Sequence, residues 1–227
     1  MNKLNEEELK RLHGKEYVKK YHDKDKIRIK RLFKEIKLSK NSNILDLGCG
    51  NGLLLNYLKK EDINYFGVDF SKEFIEEAKK RVKNNEVKQV NFYCGDVVQF
   101  CKNSSINFEN CFALDFVEHI YNEDFLKIFS TVYKSMKKNG ELYLHTPNGD
   151  FILEILKKKG IMKQFPEHIG IRKDSEYLIL LKKVGFEKIR IIYLSHYIKI
   201  LVILDFLKYL PFLGKYFKAR LFIICKK

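Results

Sequence analysis

The sequence predicts an α/β fold built around a parallel β-sheet. Short apolar segments alternate with longer amphipathic segments over residues 43–194. A chain that repeats strand and helix in this way forms βαβ units with right-handed crossovers, which place the strands parallel. The chain has 227 residues, of which 45% are hydrophobic, so it can bury a substantial core and is too apolar for intrinsic disorder. We expect one globular unit over 39–227, preceded by an N-terminal helical cap over 1–38.

The individual elements follow from the length and period of each apolar segment. The predicted strands are 43–47, 64–69, 90–94, 110–115, 141–146, 187–194 and 218–226. The predicted helices are 5–38, 52–60, 72–84, 97–101, 123–137, 173–184 and an apolar helix over 197–210. Apolar residues at helical spacing support these assignments, for example Phe125, Phe129 and Val132. Ligands of an open parallel sheet bind beyond the carboxyl ends of its strands, so functional residues are expected directly after each strand.

The charge and the cysteines restrict the partners and the compartment. The formal net charge is +15, which favours anionic partners, but the lysines are spread over the whole chain. No RNA-binding module is recognisable, so nucleic acid is not an expected partner. Five cysteines without a Cys-x-x-Cys pair indicate reduced thiols. A cytoplasmic protein is expected, because the first residues form no apolar leader and no run of about 18 apolar residues exists.

A glycine-rich turn follows the first predicted strand. ILDLGCGNG places Gly48, Gly50 and Gly52 at alternate positions. Glycines let the backbone turn tightly and approach a ligand, because no Cβ intrudes. The spacing differs from the Gly-x-Gly-x-x-Gly of dinucleotide sites, since position 53 is leucine. Either the turn binds another ligand or it is a tight connection without one.

Acidic residues accompany each of the first three strands. Asp46 lies in the first, Asp69 ends the second and Asp96 follows the third. A carboxylate at the position of Asp69 can accept hydrogen bonds from both hydroxyls of a ribose. Asp96 could accept one from an adenine amino group. Acids around a glycine turn favour a cationic, adenosyl-bearing ligand over a diphosphate.

These motifs resemble those of the class I S-adenosylmethionine-dependent methyltransferases. ILDLGCGNG, YFGVDFS and FYCGDVV stand where that family has its glycine-rich loop, ribose-binding acid and adenine-binding acid. The resemblance implies a Rossmann-like three-layer sandwich whose seven-stranded sheet is mostly parallel, with the last strand antiparallel. It also implies S-adenosyl-L-methionine as cofactor. The residues it implies for cofactor binding are Arg28, Asp46, Gly48, Gly50, Asp69, Phe70, Asp96, Val97 and Leu114. For Arg28, a solvated cation on a basic helix is the alternative.

A second cluster follows the fourth strand. Asp115, Glu118 and His119 place two carboxylates and an imidazole within one short segment. A sulfonium is already an activated methyl donor, so the remaining tasks are to position a nucleophile and to remove its proton. We therefore take His119 and Glu118 as candidate catalytic residues. Oxygen and nitrogen ligands of this kind also suit Mg²⁺ or Zn²⁺.

This cluster resembles that of the ubiquinone-pathway O-methyltransferases and the small-RNA 2′-O-methyltransferases, which have Glu-x-x-Glu-His here and act beside a metal. Carried across, Asp115, Glu118, His119 and His168 would be the ligands, although Asp115 is one methylene shorter than glutamate. Three interpretations stay open: a metal site, His119 as the direct base, and a structural Glu118–His119 pair. His145, inside the fifth strand, is expected to be a packed core residue.

The predicted function is O-methylation of a hydroxyl on a small-molecule, lipid, quinone or saccharide acceptor. The alternatives are an RNA ribose 2′-O-methyltransferase and a catalytically silent, cofactor-binding subunit. The helix over 197–210 carries few charges, and these do not share one face. It could form a homodimer contact, a lid over an apolar acceptor or a surface for an anionic membrane, or it could be buried against the sheet.

Overall fold

The computed structural model describes residues 8, 26–58, 63–82, 87, 89–195 and 203–227, without the side chains of 26–28 and 203–205. Seven strands form one mixed sheet in the order β3-β2-β1-β4-β5-β7-β6. They are β1 (Asn43–Leu47), β2 (Asn64–Asp69), β3 (Gln89–Cys94), β4 (Phe108–Leu114), β5 (Met136–Pro147), β6 (Lys188–Leu194) and β7 (Arg220–Lys226). β1 pairs in parallel with β2 and β4, whereas β7 is antiparallel to β5 and β6. The predicted fold class is confirmed, including the antiparallel last strand.

Four helices of the described residues lie close to their predicted positions, and one further helix was not predicted. They are α1 (Lys26–Leu32), α2 (Lys72–Val82), α3 (Val97–Asn103), α4 (Asn122–Ser135), α5 (Ile152–Lys158) and α6 (Asp174–Val184). The predicted stripe of α4 is buried, with Phe125, Phe129 and Val132 fully inaccessible. α5 was not predicted, although Ile152, Leu153, Ile155 and Leu156 recur at helical spacing, and none of its side chains is fully buried.

Three helix predictions need correction. The segment after the glycine turn is a 3₁₀ helix over Leu53–Tyr57, in which three consecutive leucines are buried. α1 ends at Leu32. The backbone hydrogen bonds that follow join residues three positions apart instead of four, so the α-helix does not continue to residue 38. Of the apolar helix, 197–202 lies outside the described residues, and Ile203–Tyr209 is a 3₁₀ helix.

The chain divides into two compact units. The first comprises residues 1–112 with 134–140, and the second comprises 113–133 with 141–227. Ile44, Leu45 and Leu47 of β1 are inaccessible in the core of the first. The predicted division into 1–38 and 39–227 stays a prediction, since most of 1–38 is not described. In the parts of the chain that the structure describes, no helix is both long and apolar enough to span a membrane.

Candidate cofactor and catalytic sites

The glycine-rich turn in the first unit is anchored to β2. The backbone N–H of Gly48 donates to the carbonyl oxygen of Val68 at 2.8 Å. Gly48, Gly50 and Gly52 have φ angles of 64°, 51° and 71°. Glycine adopts these left-handed conformations without the steric cost of a side chain. The alternate glycines are thus explained by the backbone path itself.

Gly50 and Gly52 differ in what surrounds them. A Cβ built on Gly52 would lie 3.3 Å from the Cβ of Ala78 on α2, so this glycine allows close packing of the turn. A Cβ on Gly50 would come no nearer than 3.9 Å to the ring of Phe74. The turn is therefore open beside Gly50, where the backbone can approach a ligand.

Asp69 ends β2 next to this open face. Its Oδ2 accepts a hydrogen bond from the Gly50 N–H, and its Oδ1 accepts one from the Ser71 N–H, each at 2.9 Å. Asp69 therefore lies against the backbone of the turn, with one carboxylate oxygen directed at Gly50. Its predicted contact with a ribose stays a prediction.

Asp46 is buried inside β1, and its Oδ2 accepts a hydrogen bond from the hydroxyl of Tyr65 at 2.6 Å. Burial raises the pKa of Asp46 to about 7, against the lowering effect of the Tyr65 hydrogen bond. Its predicted contact with the cofactor stays a prediction.

This pKa makes the stability of the protein depend on pH. Folded Asp46 holds its proton up to about pH 7, whereas the unfolded side chain loses it near 3.8, so stability falls as pH rises between these values. Asp46→Asn should remove this dependence, which amounts to roughly 4 kcal/mol over the interval. Urea unfolding at several pH values measures it. Asp124→Asn, at an exposed position of α4, should leave the wild-type slope intact; equal slopes in wild type and Asp46→Asn would contradict the assignment.

The other predicted cofactor residues are placed as follows. Asp96 caps α3, and its Oδ1 accepts a hydrogen bond from the Gln99 N–H at 2.8 Å. Val97 is buried, Phe70 is exposed, Leu114 ends β4, and Arg28 lies in α1 with its side chain outside the described part. Their roles toward a cofactor stay predictions.

In the second unit, a 3₁₀ turn over Val117–His119 carries the predicted catalytic pair. Nδ1 of His119 lies 3.0 Å from the carbonyl oxygen of Glu167. A carbonyl oxygen can only accept, so we assign the proton to Nδ1. Nε2 is then the acceptor nitrogen of the ring, as a base or a metal ligand requires.

Glu118, His119 and His168 come together in this unit. One ligand atom of each lies within 4.8 Å of the others, and the two imidazole rings meet edge to face at 5.1 Å. Nδ1 of His168 is buried without a hydrogen-bond partner among the described residues. Burial lowers the pKa of His168 to about 4, which keeps its ring neutral near pH 7. A carboxylate with two imidazole nitrogens is a donor set that Zn²⁺ accepts.

Asp115, the fourth predicted ligand, lies outside this group. Its Oδ1 is 2.9 Å from Nδ1 of His145 and 3.2 Å from the guanidinium of Arg220. The same guanidinium nitrogen lies 3.9 Å from Oε1 of Glu118. His145 is buried, as predicted, and Arg220 supplies a positive charge that sequence reasoning did not place here.

Arg172 is a second residue of this site that sequence reasoning missed. Its guanidinium donates to the carbonyl oxygens of Val117, Ile120 and Gly170 at 2.8, 2.7 and 2.7 Å. It also donates to Oδ1 of Asn122 at 2.6 Å. Arg172 is 4% exposed, so these bonds are buried and hold the turn that carries Glu118 and His119. No local motif marks such a residue, because its partners are up to 55 positions away.

Arg172→Met should lower the free energy of unfolding by about 3 kcal/mol or more, because it leaves buried carbonyl oxygens without donors. Urea denaturation measures the change. Lys183→Met removes the same charge from an exposed position on α6 and should change stability by less than about 0.5 kcal/mol. Equal losses in the two variants would show that Arg172 does not hold the turn.

Comparison with known proteins identifies the class of this chain. Residues 38–187 match the family model described as "Methyltransferase domain". The chain belongs to this family, and its motifs and fold are similar to those of the class I S-adenosylmethionine-dependent methyltransferases, as predicted. S-adenosylmethionine is the cofactor of the family, and the open face at Gly50 with Asp69 fits it.

Among its relatives are ubiquinone biosynthesis O-methyltransferases. The protein from Coxiella burnetii is 28% identical over 134 residues, covering 59% of this chain and 55% of the relative, so the chain spans about half the relative's length. That from Pelagibacter ubique is 28% identical over 189 residues, covering 73% and 76%. A solved S-adenosylmethionine-dependent methyltransferase from Archaeoglobus fulgidus shares the fold, with a TM-score of 0.71, 21% identity, and coverage of 93% and 98%.

Proposed function

We propose that this methyltransferase transfers the methyl group to a hydroxyl oxygen of a small-molecule, lipid, quinone or saccharide acceptor. The observation that carries the proposal is the hydrogen bond between Nδ1 of His119 and the Glu167 carbonyl oxygen. It orients the ring and makes Nε2 the acceptor. A hydroxyl must lose its proton as its oxygen attacks the methyl carbon, and a positioned imidazole can take that proton. The ubiquinone biosynthesis O-methyltransferases among the relatives support the same chemistry.

The group of Glu118, His119 and His168 also supports a divalent cation at this place. The buried Nδ1 of His168 lacks a partner among the described residues, and the donor set suits the ion. These three residues would hold it, while Asp115 stays with His145 and Arg220. A bound cation would acidify the acceptor hydroxyl.

A panel of paired acceptors tests the proposed chemistry. Phenols, sugars and quinols are compared with amines of the same shape, and conversion of S-adenosylmethionine to S-adenosylhomocysteine is measured. We expect turnover with hydroxyl acceptors only. Turnover restricted to amines would contradict O-methylation, and salt-sensitive RNA binding with methylation of RNA would favour the RNA ribose 2′-O-methyltransferase alternative.

Metal content separates a bound cation from direct base catalysis. In the metal case the purified protein contains Zn²⁺ or another divalent ion by elemental analysis, and His168→Ala loses it. Glu187→Gln, a change at an exposed position of the same unit outside the group, should retain it. Metal-free protein with full activity in the presence of EDTA would leave His119 as the direct base.

A further inference from the structure

Several large apolar side chains of the second unit lie on the surface between β6 and β7. We call residues 206–213 the apolar tip. Its exposed members are Phe206 (64% exposed), Tyr209 (80%), Leu210 (42%), Phe212 (95%) and Leu213 (54%). Single exposed apolar residues are common, but five within eight positions concentrate apolar surface on one short segment.

The apolar tip has a defined backbone. The N–H of Gly214 donates to the carbonyl oxygen of Leu210 at 2.9 Å, which closes the turn between two 3₁₀ helices over Ile203–Tyr209 and Gly214–Phe217. A Cβ at position 214 would lie 2.2 Å from the carbonyl oxygen of Lys208. Only glycine permits this close approach, so the sequence builds a tight turn that presents the aromatic residues.

Phe212 combines full exposure with an unfavourable backbone conformation. Its φ is 62°, a left-handed angle that is rare for a bulky residue. A side chain that is 95% exposed gains almost nothing from packing inside its own chain. The N–H of Leu213 donates to the carbonyl oxygen of Pro211 at 2.7 Å, so a three-residue turn holds Phe212 in this conformation and leaves its ring exposed.

The charges around the apolar tip are mainly positive. Residues 206–218 contain Lys208, Lys215 and Lys218, and one acidic residue, Asp205, directly precedes them. Lys208 lies over the ring of Tyr209 at 5.1 Å, and Lys215 lies over the ring of Tyr216 at 5.0 Å. Aromatic and basic side chains are therefore interleaved along this segment, which is the composition that binds the headgroup region of anionic membranes.

We propose that the apolar tip docks the protein onto an anionic membrane surface. Phe206, Tyr209 and Phe212 would enter the interface at the level of the headgroups, where aromatic side chains are favoured. Lys208 and Lys215 would face the lipid phosphates. A second copy of the chain is a poorer occupant, because a symmetric contact would bring the same lysines of both copies together. The proposal is independent of the acceptor and of the role of His119.

Vesicle flotation of the full chain tests this docking. Vesicles of phosphatidylcholine alone are compared with vesicles that also contain phosphatidylglycerol, at low and high salt. We expect binding to the anionic vesicles only, and its loss at high salt, because the lysines act through screened charges. Binding to neither kind of vesicle overturns the proposal.

Phe212→Gly is the informative variant, since glycine fits the left-handed backbone and the fold is retained. It should reduce the partition onto anionic vesicles about tenfold, the effect of withdrawing one large apolar side chain. Ile179→Ser, which changes a residue of α6 that is 56% exposed, should bind like wild type. Unchanged binding of Phe212→Gly would overturn the proposal. If light scattering showed that the wild-type protein is a dimer and that Phe212→Gly is a monomer, the apolar tip would be a contact between two copies of the chain, and the membrane proposal would be overturned.

Discussion

Asp69→Ala should weaken the binding of S-adenosylmethionine by about 100-fold or more. The wild-type carboxylate accepts hydrogen bonds from the N–H groups of Gly50 and Ser71, which shape the open face of the glycine turn. In our assignment it also accepts from both ribose hydroxyls. Alanine leaves each hydroxyl unpaired, at roughly 1–3 kcal/mol each, and releases the turn. Titration calorimetry with S-adenosylmethionine or S-adenosylhomocysteine measures the affinity.

Two further variants separate the contact from a general loss of charge. Glu77→Ala removes an exposed carboxylate from α2 and should bind the cofactor like wild type. Asp69→Asn keeps one acceptor oxygen, so its affinity should fall between those of Asp69→Ala and wild type. If Asp69→Ala bound the cofactor as tightly as wild type, the cofactor assignment would be wrong.

His119→Ala should lower kcat by about 10²–10⁴-fold, the range of general acid–base catalysis by a positioned side chain. Its affinity for S-adenosylmethionine should not change, because the residues assigned to cofactor binding around the glycine turn do not include it. The expected separation of rate from affinity is the specific result. Steady-state kinetics and calorimetry on the same preparation measure the two quantities.

Added imidazole provides the matched control for this variant. It should restore part of the rate of His119→Ala if the ring acts as a base, and it should not affect a variant that is merely misfolded. Denaturation of His119→Ala by urea shows whether the variant is folded. A folded variant with nearly wild-type kcat would exclude His119 from the chemistry.

The sheet and the glycine turn were predictable because their signals are local. The predicted strands 43–47 and 64–69 coincide with β1 and β2 at every residue. Glycine at positions 48 and 50 permits the positive φ angles that the turn requires. Asp69 reaches the turn because the carboxyl ends of parallel strands lie at one edge of the sheet. Two local assignments differ from the structure: α5 was overlooked although its apolar residues recur at helical spacing, and the predicted helix over 52–60 is a 3₁₀ helix over Leu53–Tyr57.

The candidate catalytic site could be predicted only in part. Asp115, Glu118 and His119 were expected together from their spacing, yet Asp115 pairs with His145 and Arg220 and stands apart from the group that includes His168. Its Arg220 partner is 105 positions away along the chain. A short-period sequence pattern carries no information about contacts over that distance. Neither the position of the Arg220 guanidinium nor the role of Arg172 could therefore be predicted.

From its residues alone, this chain could be assigned an α/β sheet, a cofactor turn and a cluster of acids and imidazole, because each depends on neighbours a few positions apart. Folding decided the chemical state of those groups. The proton on Nδ1 of His119 depends on a carbonyl oxygen 48 residues away, and the neutral ring of His168 depends on burial. Tautomers and proton affinities are set by the surrounding atoms, which only the packed chain brings together.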